Sequence, residues 1–347
     1  MKKILFYPQK TLNEYTSIMR DCIDKEKYIL CKNNSLFDFL FADIIHLNWY
    51  ENLSPNSLKL YLGFIIKLFY LYFLFVTKKR VVYTLHNKLP HDKSNLALSK
   101  YLMDFVLRIS DVIIVHSKYS INFVPGKYRL KTAYIPHPSY EGIYENIIES
   151  PLHRKENSKL VVLTFGAIKP YKNIESIIKI ANDISDLNIE FWICGVCNSD
   201  DYKIELKNKV RTDNVIFDFR FINNGEIPSL LSKVDIVLIP YNVESSLNSG
   251  VAILAFSYAK TVISTEIGTV LDFLDSGMVY VYNNSQNDEL KNTLCSIYDE
   301  IQKDSHFLEV KGSGMLEYVR KHNNVDFILS FYIVYCCIIF VVKNHSI

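Results

Sequence analysis

The chain has 347 residues, of which 49% are hydrophobic and 22% are charged, and this composition excludes an intrinsically disordered protein. The length favours two domains of ordinary size. The net charge of +2 is unevenly distributed, because residues 1–150 carry 20 Lys and Arg against 13 Asp and Glu, and the remainder carries 19 against 24. A basic first half suits an anionic membrane surface. Nucleic acid is the weaker choice, because no nucleic-acid-binding motif accompanies the charge.

The N-terminal segment MKKILFYPQK predicts a first strand. Too few apolar residues precede Pro8 for a signal peptide, so we expect a cytoplasmic chain. Four further apolar runs of the first half are typical of buried strands, namely YILC, ADIIHLNW, RVVYTLH and SDVIIVH. The amphipathic segments between these runs indicate strand–helix units and a parallel sheet.

Residues 61–76, YLGFIIKLFYLYFLFV, form a long apolar run in the first half. Lys67 lies in its middle and TKKR follows it, a pattern that suits a helix lying in a membrane interface. A buried helix of the first domain explains the run equally well. The sequence leaves these two interpretations open.

Polar and titratable groups follow the fourth predicted strand, in YTLHNKLPHD at residues 83–92. Because ligands bind at the carboxyl ends of parallel strands, we expect His86 to reach a cleft. The other histidines that follow or interrupt strands, His46, His116 and His137, are interpreted as structural.

Residues 131–151, KTAYIPHPSYEGIYENIIESP, predict a connection between two domains. The strand pattern then begins again with KLVVLTFG, IEFWICG, VIFDF, VDIVLIPY, TVIST and MVYVY. The predicted fold class is therefore α/β, with two Rossmann-like domains facing a cleft. Cys194 and Cys197 form a C-x-x-C without a second pair, which favours a buried strand end over a metal or redox site. The seven scattered cysteines predict no disulfide framework.

The segment LTFGAIKPYKNIESIIKIAN, residues 163–182, combines a strand end, a glycine, two lysines and a helix start. Gly166 lets the backbone turn tightly, and Lys169 and Lys172 near a helix N-terminus suit the anionic oxygens of a diphosphate. The spacing matches neither a Walker loop nor the dinucleotide motif G-x-G-x-x-G. Two solvated surface lysines are the alternative interpretation.

A second anion site is predicted in IPYNVESSLNSGVAILAFSYAKTVIST, residues 239–265. Asn248 or Ser249 can cap the apolar helix that follows, and the N–H groups beside Gly250 can hold an anion. An ordinary helix cap without a ligand is the alternative. Two such sites in one domain suit a nucleotide diphosphate better than a single phosphate.

Residues 327–342, FILSFYIVYCCIIFVV, are apolar nearly all round. As a helix they would rise about 24 Å, which is short of a hydrocarbon core of about 30 Å. A packed C-terminal helix is therefore favoured over a tail anchor, and both interpretations stay open.

In their order and spacing these segments resemble a glycosyltransferase of the GT-B fold, and most closely the family 4 type that builds bacterial surface polysaccharides. The resemblance covers nearly the whole chain. It is carried by IIHLNWYE (44–51), YTLHNKLPHD (83–92), DVIIVHSKYS (111–120), FGAIKPYKN (165–173), FINNGEIPSLLSKVDIVLIPY (221–241) and NSGVAILAFSYAKTVIS (248–264).

The resemblance implies an N-terminal domain that binds the acceptor and a C-terminal domain that binds a nucleotide-sugar. We expect the boundaries at 1–140 for the acceptor domain, 141–158 for a linker, 159–325 for the donor domain and 326–347 for an apolar helix. That helix either returns to the first domain or contacts the membrane.

The family's motifs also imply roles for single residues. Lys172 matches the lysine that holds the donor diphosphate, and Lys169 supplies a second charge because Ala167 stands at the family's arginine position. The donor diphosphate and nucleotide are assigned to Gly166, Lys169, Lys172, Glu226, Asn248, Ser249 and Gly250.

His86 matches the histidine that reaches the transferred sugar and the acceptor. If transfer inverts the anomeric centre, Asp92 or His91 is a candidate general base. If transfer retains it, as in family 4, the donor diphosphate can receive the acceptor proton. Asn87 and His91 are assigned to the acceptor side.

The sequence departs from the family at two places. These departures indicate either a divergent branch of the family or a chain that has lost its catalytic activity. The paired glutamates, eight residues apart, fall on Ser246 and Leu254, and PQKTLNEY replaces the N-terminal Gly-Gly loop. No Asp-x-Asp pair occurs, so we expect no divalent metal and no other cofactor.

The sequence thus predicts a glycosyltransferase that moves a sugar from a nucleotide-diphosphate donor to a polyprenyl-diphosphate-linked or glycan acceptor. We expect it at the inner, cytoplasmic face of the cell membrane, in synthesis of capsule, exopolysaccharide or O-antigen. A non-catalytic nucleotide-sugar-binding subunit and a nucleotide-sugar epimerase are the alternatives. A Rossmann dehydrogenase is disfavoured, because its glycine motif is absent.

Overall fold

The computed structural model describes residues 1–9, 11, 14–23, 26–31, 35–53, 57–89, 95–144, 158–283 and 288–330. The chain divides into two compact units. The first unit comprises Met1–Pro138, Glu244–Asn248 and His322–Ile347, and the second comprises Ser139–Val243 and Ser249–Lys321. Each unit contains a six-stranded sheet whose neighbouring strands are all parallel. The predicted α/β class with two Rossmann-like sheets is confirmed.

The first sheet has the strand order β2-β1-β3-β4-β5-β6. Its elements are β1 (Lys2–Tyr7), α1 (Tyr15–Asp21), β2 (Tyr28–Leu30), α2 (Leu36–Phe41), β3 (Ile44–Asn48), α3 (Ser57–Val76), β4 (Arg80–Thr84), α4 (Leu96–Ile109), β5 (Val112–Val115) and β6 (Thr132–Tyr134). The five predicted strands are present. The interpretation of 131–151 as a connection was wrong for residues 132–134, which pair with β5 as the edge strand β6.

The second sheet has the strand order β12-β11-β10-β7-β8-β9. Its elements are β7 (Leu160–Phe165), α5 (Ile174–Asp183), β8 (Ile189–Cys194), α6 (Asp200–Lys209), β9 (Val215–Asp218), α7 (Ile227–Ser232), β10 (Ile236–Ile239), α8 (Gly250–Ser257), β11 (Thr261–Thr265), α9 (Gly268–Leu271), β12 (Tyr280–Tyr282), α10 (Glu289–Lys303) and α11 (Phe307–His322). All six predicted strands of this half are present.

The apolar runs form strands because both faces of each sheet are covered. Every residue of β3, β5, β10 and β11 is buried, as expected for central strands between two layers of helices. Helix α5 shows the complementary pattern, since Ile174, Ile177, Ile178 and Ala181 recur at helical spacing and are all buried. Each unit therefore has its own apolar core.

The apolar helix α3 is only partly covered by the first unit. It has 20 residues, and Leu58–Val76 is long and apolar enough to cross a membrane by length and composition. Only 17% of that window is buried. A buried helix of the first domain therefore accounts for one face of α3, which packs in the core through Leu71 and Leu74, and does not account for its exposed face.

The described cysteines, Cys22, Cys31, Cys194, Cys197 and Cys295, are free thiols. Cys194 ends β8 and is buried, as predicted for a strand end, and burial raises the pKa of its thiol to about 12. The described start of the C-terminal apolar segment, residues 325–330, is helical, and Ile328 packs in the core of the first unit. The remaining residues of the predicted helix, 331–347, lie outside the described part of the chain.

Candidate functional site

The strand order of each sheet locates the point where a ligand is expected. In the second sheet the chain moves outward in one direction from β7 to β9 and in the other direction from β10 to β12, so the order reverses between β7 and β10. In the first sheet the reversal lies between β1 and β3. Ligands of open parallel sheets bind beyond the carboxyl ends of the strands at such reversals. The loops after β7, β10, β1 and β3 are therefore the candidate site segments.

The loop after β7 places an ammonium group beside a glycine. The Lys172 side chain is buried, and its Nζ donates a hydrogen bond of 2.8 Å to the carbonyl oxygen of Phe165, the last residue of β7. Gly166 has a φ of +93°, and a Cβ at this position would lie 3.0 Å from Lys172 Nζ. The backbone conformation therefore favours glycine here, and the ammonium group leaves little room for a side chain.

Burial also changes the charge state of the Lys172 side chain. It lowers the pKa of Lys172 to about 7, with a smaller contribution from the positive charge of Lys169. The Nζ atom lies 5.1 Å from the centre of the Tyr241 ring. A buried cation at the carboxyl end of a central strand is the arrangement that an anionic ligand stabilises most.

The loop after β10 supplies the second predicted anion site. Ser249 caps α8, because its Oγ accepts a hydrogen bond of 3.2 Å from the backbone N–H of Ala252. Of the two predicted caps, Ser249 is thus confirmed, and Gly250 is the first residue of the helix. The backbone N–H of Ser249 donates to Thr269 Oγ1 at 3.0 Å. The structure therefore uses part of this site for its own hydrogen bonds.

The two loops are joined directly within the second unit. The backbone N–H of Asn242, after β10, donates to the carbonyl oxygen of Tyr171, after β7, at 2.9 Å. The rings of Tyr171 and Tyr241 pack edge to face with centroids 5.8 Å apart. The structure thus brings the Gly166–Lys172 loop together with Tyr241 and Asn242 at the strand reversal.

Three other residues were assigned to the donor, and the structure gives each a different environment. Lys169 is exposed at the start of the short 3₁₀ turn before α5. Glu226 precedes α7, where its carboxylate accepts from Asn223 in a capping box and from Arg220 at 2.6 and 2.9 Å. These hydrogen bonds lower the pKa of Glu226. Asn248 belongs to the first unit, where its Nδ2 donates to the Leu85 carbonyl oxygen at 3.4 Å.

In the first unit, His86 follows β4 and stacks on an aromatic ring. Its ring centroid lies 3.8 Å from that of Trp49, with an angle of 15° between the planes. His86 Nε2 lies 3.0 Å from Asn48 Oδ1 at the end of β3, and Asn48 Nδ2 donates to the Tyr7 carbonyl oxygen at 3.3 Å. Because that oxygen accepts, Nε2 of a neutral His86 carries the hydrogen and Nδ1 has the lone pair.

Trp49 has a backbone conformation that bulky residues rarely adopt. Its φ is +47°, in the left-handed region. It follows β3 at the strand reversal of the first sheet, beside His86. Backbone strain of this kind is concentrated at functional sites, which supports this end of the first sheet as a ligand site.

The three histidines interpreted as structural lie in the core of the first unit. Burial lowers the pKa of His46 to about 3, of His116 to about 4 and of His137 to about 3, so all three are neutral at physiological pH. His116 Nδ1 donates to the Ile135 carbonyl oxygen at 2.8 Å, and its Nε2 accepts from Tyr15 Oη at 2.7 Å. These contacts agree with the structural interpretation.

Asn87 lies beside a segment from the second half of the chain. Asn87 and Ser246 form an isolated antiparallel bridge, and the Lys88 N–H donates to the Ser245 carbonyl oxygen at 3.1 Å. Asn87 Nδ2 and Ser246 Oγ are buried and have no hydrogen-bond partner among the residues that the structure describes. The acceptor-side candidate His91 and the candidate general base Asp92 lie outside the described residues.

Some residues of the two strand reversals were not singled out from the sequence. Asn48 and Trp49 are the last two residues of the predicted strand ADIIHLNW, and this position alone could have marked them. Tyr241 likewise ends VDIVLIPY. Tyr15 lacks such a signal, because its contact with His116 joins positions 101 residues apart.

The chain is similar in sequence to known glycosyltransferases. Residues 147–308 match the sequence model of the family described as glycosyl transferases group 1. The chain is 24% identical over 254 residues to a GDP-mannose:glycolipid 4-beta-D-mannosyltransferase of Xanthomonas campestris pv. campestris, a match that covers 69% of this chain and 67% of that protein.

Two solved structures are similar over nearly their whole length. The Anabaena protein Alr3699/HepE, crystallised with UDP and glucose, superposes with a TM-score of 0.68 at 14% identity, covering 95% of this chain and 97% of that chain. A glycosyltransferase from Rickettsia africae ESF-5 superposes with a TM-score of 0.64 at 12% identity, covering 96% and 97%. The GT-B fold expected from the sequence is thereby confirmed.

Proposed function

We propose that this chain, a glycosyltransferase of the GT-B fold, transfers a hexose from a nucleotide-diphosphate-sugar to a lipid-linked or polysaccharide acceptor. The observation that carries the proposal is the buried ammonium of Lys172 beside Gly166, at the strand reversal of the second sheet. The similar Xanthomonas protein is named as a glycolipid mannosyltransferase that uses GDP-mannose, and the similar Anabaena protein was crystallised with UDP and glucose. Both names are consistent with a nucleotide-sugar donor.

The donor diphosphate is held without a divalent metal in this proposal. Lys172 supplies positive charge, and the N-terminus of α8 supplies backbone N–H groups. As the bond to the sugar breaks, negative charge grows on the departing diphosphate, and a cation held in place before the reaction stabilises that charge most effectively. We expect transfer to continue in EDTA.

The acceptor is proposed to bind to the first unit, near the carboxyl ends of β3 and β4. His86 is held there by Trp49 and Asn48, so its Nδ1 lone pair has a fixed direction. In an inverting reaction Asp92 or His91 would remove the acceptor proton, and in a retaining reaction the departing diphosphate would take it. Asn87 and His91 are assigned to the acceptor side as before.

The proposed lipid-linked acceptor implies a location for the protein in the cell. We place the protein at the cytoplasmic face of the bacterial inner membrane, where polyprenyl-diphosphate-linked sugars for capsule, exopolysaccharide or O-antigen are assembled. The basic first half of the sequence suits such an anionic surface.

Thermal unfolding with a panel of UDP-, GDP-, CMP- and TDP-sugars tests donor binding, because a ligand of the folded state raises the unfolding temperature. Transfer is then measured as radiolabel passing from the stabilising donor into a membrane lipid extract, with and without EDTA. Lys172→Ala should lower both binding and transfer. Lys179→Ala, an exposed lysine of α5, is the matched control and should change neither. Unchanged kinetics of Lys172→Ala would remove this residue from the proposal.

A second candidate function is a non-catalytic subunit that binds a nucleotide-sugar. It is favoured by Ser246 and Leu254 at the positions of the family's paired glutamates, since neither side chain can replace a carboxylate. Stabilisation by a donor without transfer to any lipid extract would support this alternative.

A further inference from the structure

We infer that α3 is a membrane-docking helix that lies flat in the headgroup region of an anionic lipid bilayer, with one apolar face inserted. The inference gives the membrane partner of the proposed function a defined surface on the first unit. It depends on that function only in that the acceptor is lipid-linked.

The exposed face of α3 is almost continuously apolar. Nine large apolar side chains recur at helical spacing and are 47–80% exposed, namely Leu58, Tyr61, Leu62, Ile65, Ile66, Phe69, Tyr72, Phe75 and Val76. Soluble monomers rarely expose an apolar patch of this extent without a partner. The opposite face of the helix packs in a hydrophobic core of the first unit through Leu71 and Leu74. The helix is therefore held by the protein on one side and lacks apolar cover on the other.

The one charged side chain in the middle of the helix is turned away from this face. Lys67 Nζ donates to the carbonyl oxygens of Tyr50 at 2.8 Å and of Asn52 at 2.6 Å, and it lies 5.0 Å from the centre of the Tyr50 ring. These contacts hold the ammonium against the loop that follows β3. Consequently Lys67 does not interrupt the exposed apolar face.

Helix α2 extends the apolar surface. Tyr70 Oη donates to the Phe39 carbonyl oxygen at 3.1 Å, and the two rings pack edge to face with centroids 5.0 Å apart. On α2 itself, Phe37 and Phe41 are 58% and 56% exposed, and their rings lie 4.4 Å apart. Two neighbouring helices of one unit thus present aromatic side chains to the outside.

Basic side chains adjoin the apolar face and indicate an anionic occupant. Lys3 Nζ lies 5.6 Å from the Phe37 ring centre, and the Arg108 guanidinium lies 5.5 Å from the Phe75 ring centre. Lys78 follows the end of α3 and is exposed. Aromatic and apolar side chains flanked by Lys and Arg are the combination that partitions into the interface of anionic membranes. We therefore assign the face to lipid rather than to a second copy of the chain.

The topology favours a flat helix over a membrane span. Helix α3 connects β3 to β4, which are neighbouring parallel strands of one sheet. A crossover helix of 20 residues runs for about 30 Å beside its own sheet. If α3 crossed the bilayer, the part of the first unit that packs against it would have to enter the hydrocarbon as well. Shallow insertion of the exposed face avoids that cost.

Vesicle sedimentation tests the inference with the intact protein. Vesicles of phosphatidylcholine with 30% phosphatidylglycerol should bind the parent protein, and the double variant Ile66→Glu/Phe69→Glu should bind at least tenfold more weakly. The matched controls Ile204→Glu and Val310→Glu change exposed apolar residues of the second unit, 57% and 68% exposed, and should bind as the parent does. Nucleotide-sugar stabilisation, measured without lipid, should be equal in all variants, which separates failure of docking from failure of the proposed function.

The depth of insertion distinguishes a flat helix from a span. Tryptophan placed at Leu62, Phe69 or Val76 should be quenched equally by shallowly brominated lipids, whereas a span would make position 69 the deepest. Equal vesicle binding by the parent and the double variant would overturn the inference. Concentration-dependent dimerisation without lipid, lost in the double variant, would also overturn it by making a second copy the occupant.

Discussion

Lys172 shows why a buried lysine at a strand end differs from a lysine on the surface. Among the residues that the structure describes, its ammonium has one hydrogen-bond acceptor, the Phe165 carbonyl oxygen, which cannot compensate a full charge removed from water. The pKa therefore falls from 10.5 to about 7. A diphosphate ligand would provide the compensation that the protein lacks.

We expect nucleotide-diphosphate binding above pH 7 to take up a proton through Lys172. The unfolded chain binds this proton up to about pH 10.5 and the folded one only up to about 7, so the stability penalty of Lys172 decreases as pH rises through that window. A bound diphosphate favours the charged form, so affinity should decrease above pH 7. Calorimetry at pH 8 in two buffers of different ionisation enthalpy measures the proton.

The control for this proton uptake is Lys172→Arg, because arginine stays protonated throughout this range. That variant should bind without taking up a proton. Equal proton uptake by both proteins would contradict the assignment to Lys172.

Ser246 and Ser249 are both buried, and they should respond differently to loss of their hydroxyl group. Ser249→Ala removes the cap of α8 and should lower the free energy of unfolding by about 1 kcal/mol. Ser246 Oγ has no partner within the described chain, so Ser246→Ala should be neutral or slightly stabilising. Urea unfolding measures both changes. A loss above 1 kcal/mol for Ser246→Ala would show that this hydroxyl group has a structural partner.

At the scale of elements, the loops after β7 and β8 lie unusually close together. Gly166 N–H donates to the Cys194 carbonyl oxygen at 2.9 Å, and a Cβ on Gly195 would lie 2.3 Å from the Gly166 carbonyl oxygen. The C-x-x-C segment therefore serves as backbone support for the Gly166–Lys172 loop. Gly195 is the residue that permits this approach.

We expect Gly195→Ala to lower the free energy of unfolding by roughly 2–4 kcal/mol, because the new methyl group clashes with backbone and φ is +144°. Gly225→Ala is the matched control in the same unit, since nothing lies within 4 Å of its added Cβ and its φ is not positive. Chemical unfolding compares the two variants. A smaller effect at position 195 than at 225 would contradict the close approach.

Helices and strands could be predicted where their hydrophobic pattern was long or strong. Eleven apolar runs mark eleven of the twelve strands in the described chain, because buried parallel strands are apolar throughout. The strand β6 was missed, since Thr132–Tyr134 has three residues and merges into a segment rich in Pro and Tyr. The exposed face of α3 could not be decided from the sequence either, because an apolar run gives the same signal whether protein or lipid covers it.

For the whole molecule, the sequence predicted two similar sheets but not the path of the chain between the units. Nothing local in Glu244–Asn248 marks that segment as part of the first unit. Its assignment depends on contacts with residues after β4 that are more than 150 positions away, such as the bond between Asn248 and Leu85. Candidate site residues could be chosen from the sequence where they follow strands, as His86 and Lys172 do, and not where distant segments meet.

We expect nucleotide to stabilise the second unit selectively. Each unit contains one tryptophan, Trp49 in the first and Trp192 in the second, so variants that retain one of them report unfolding of one unit. In Trp49→Phe, the nucleoside diphosphate of the donor found in the screen, at 100 times its Kd, should stabilise the unit seen by Trp192 by about 2.7 kcal/mol. In Trp192→Phe, the transition seen by Trp49 should not move. An equal shift from both reporters would contradict selective binding.

The interrupted course of the first unit constrains how the protein can be made. Leu247 and Ile328 are both fully buried in cores of that unit, although the rest of each core comes from the first 140 residues. A ribosome must therefore synthesise nearly the whole chain before this unit can complete its interior. A gene fragment that stops near residue 140 would lack both side chains, so exchanging the first unit between related glycosyltransferases requires three coordinated grafts rather than a single splice.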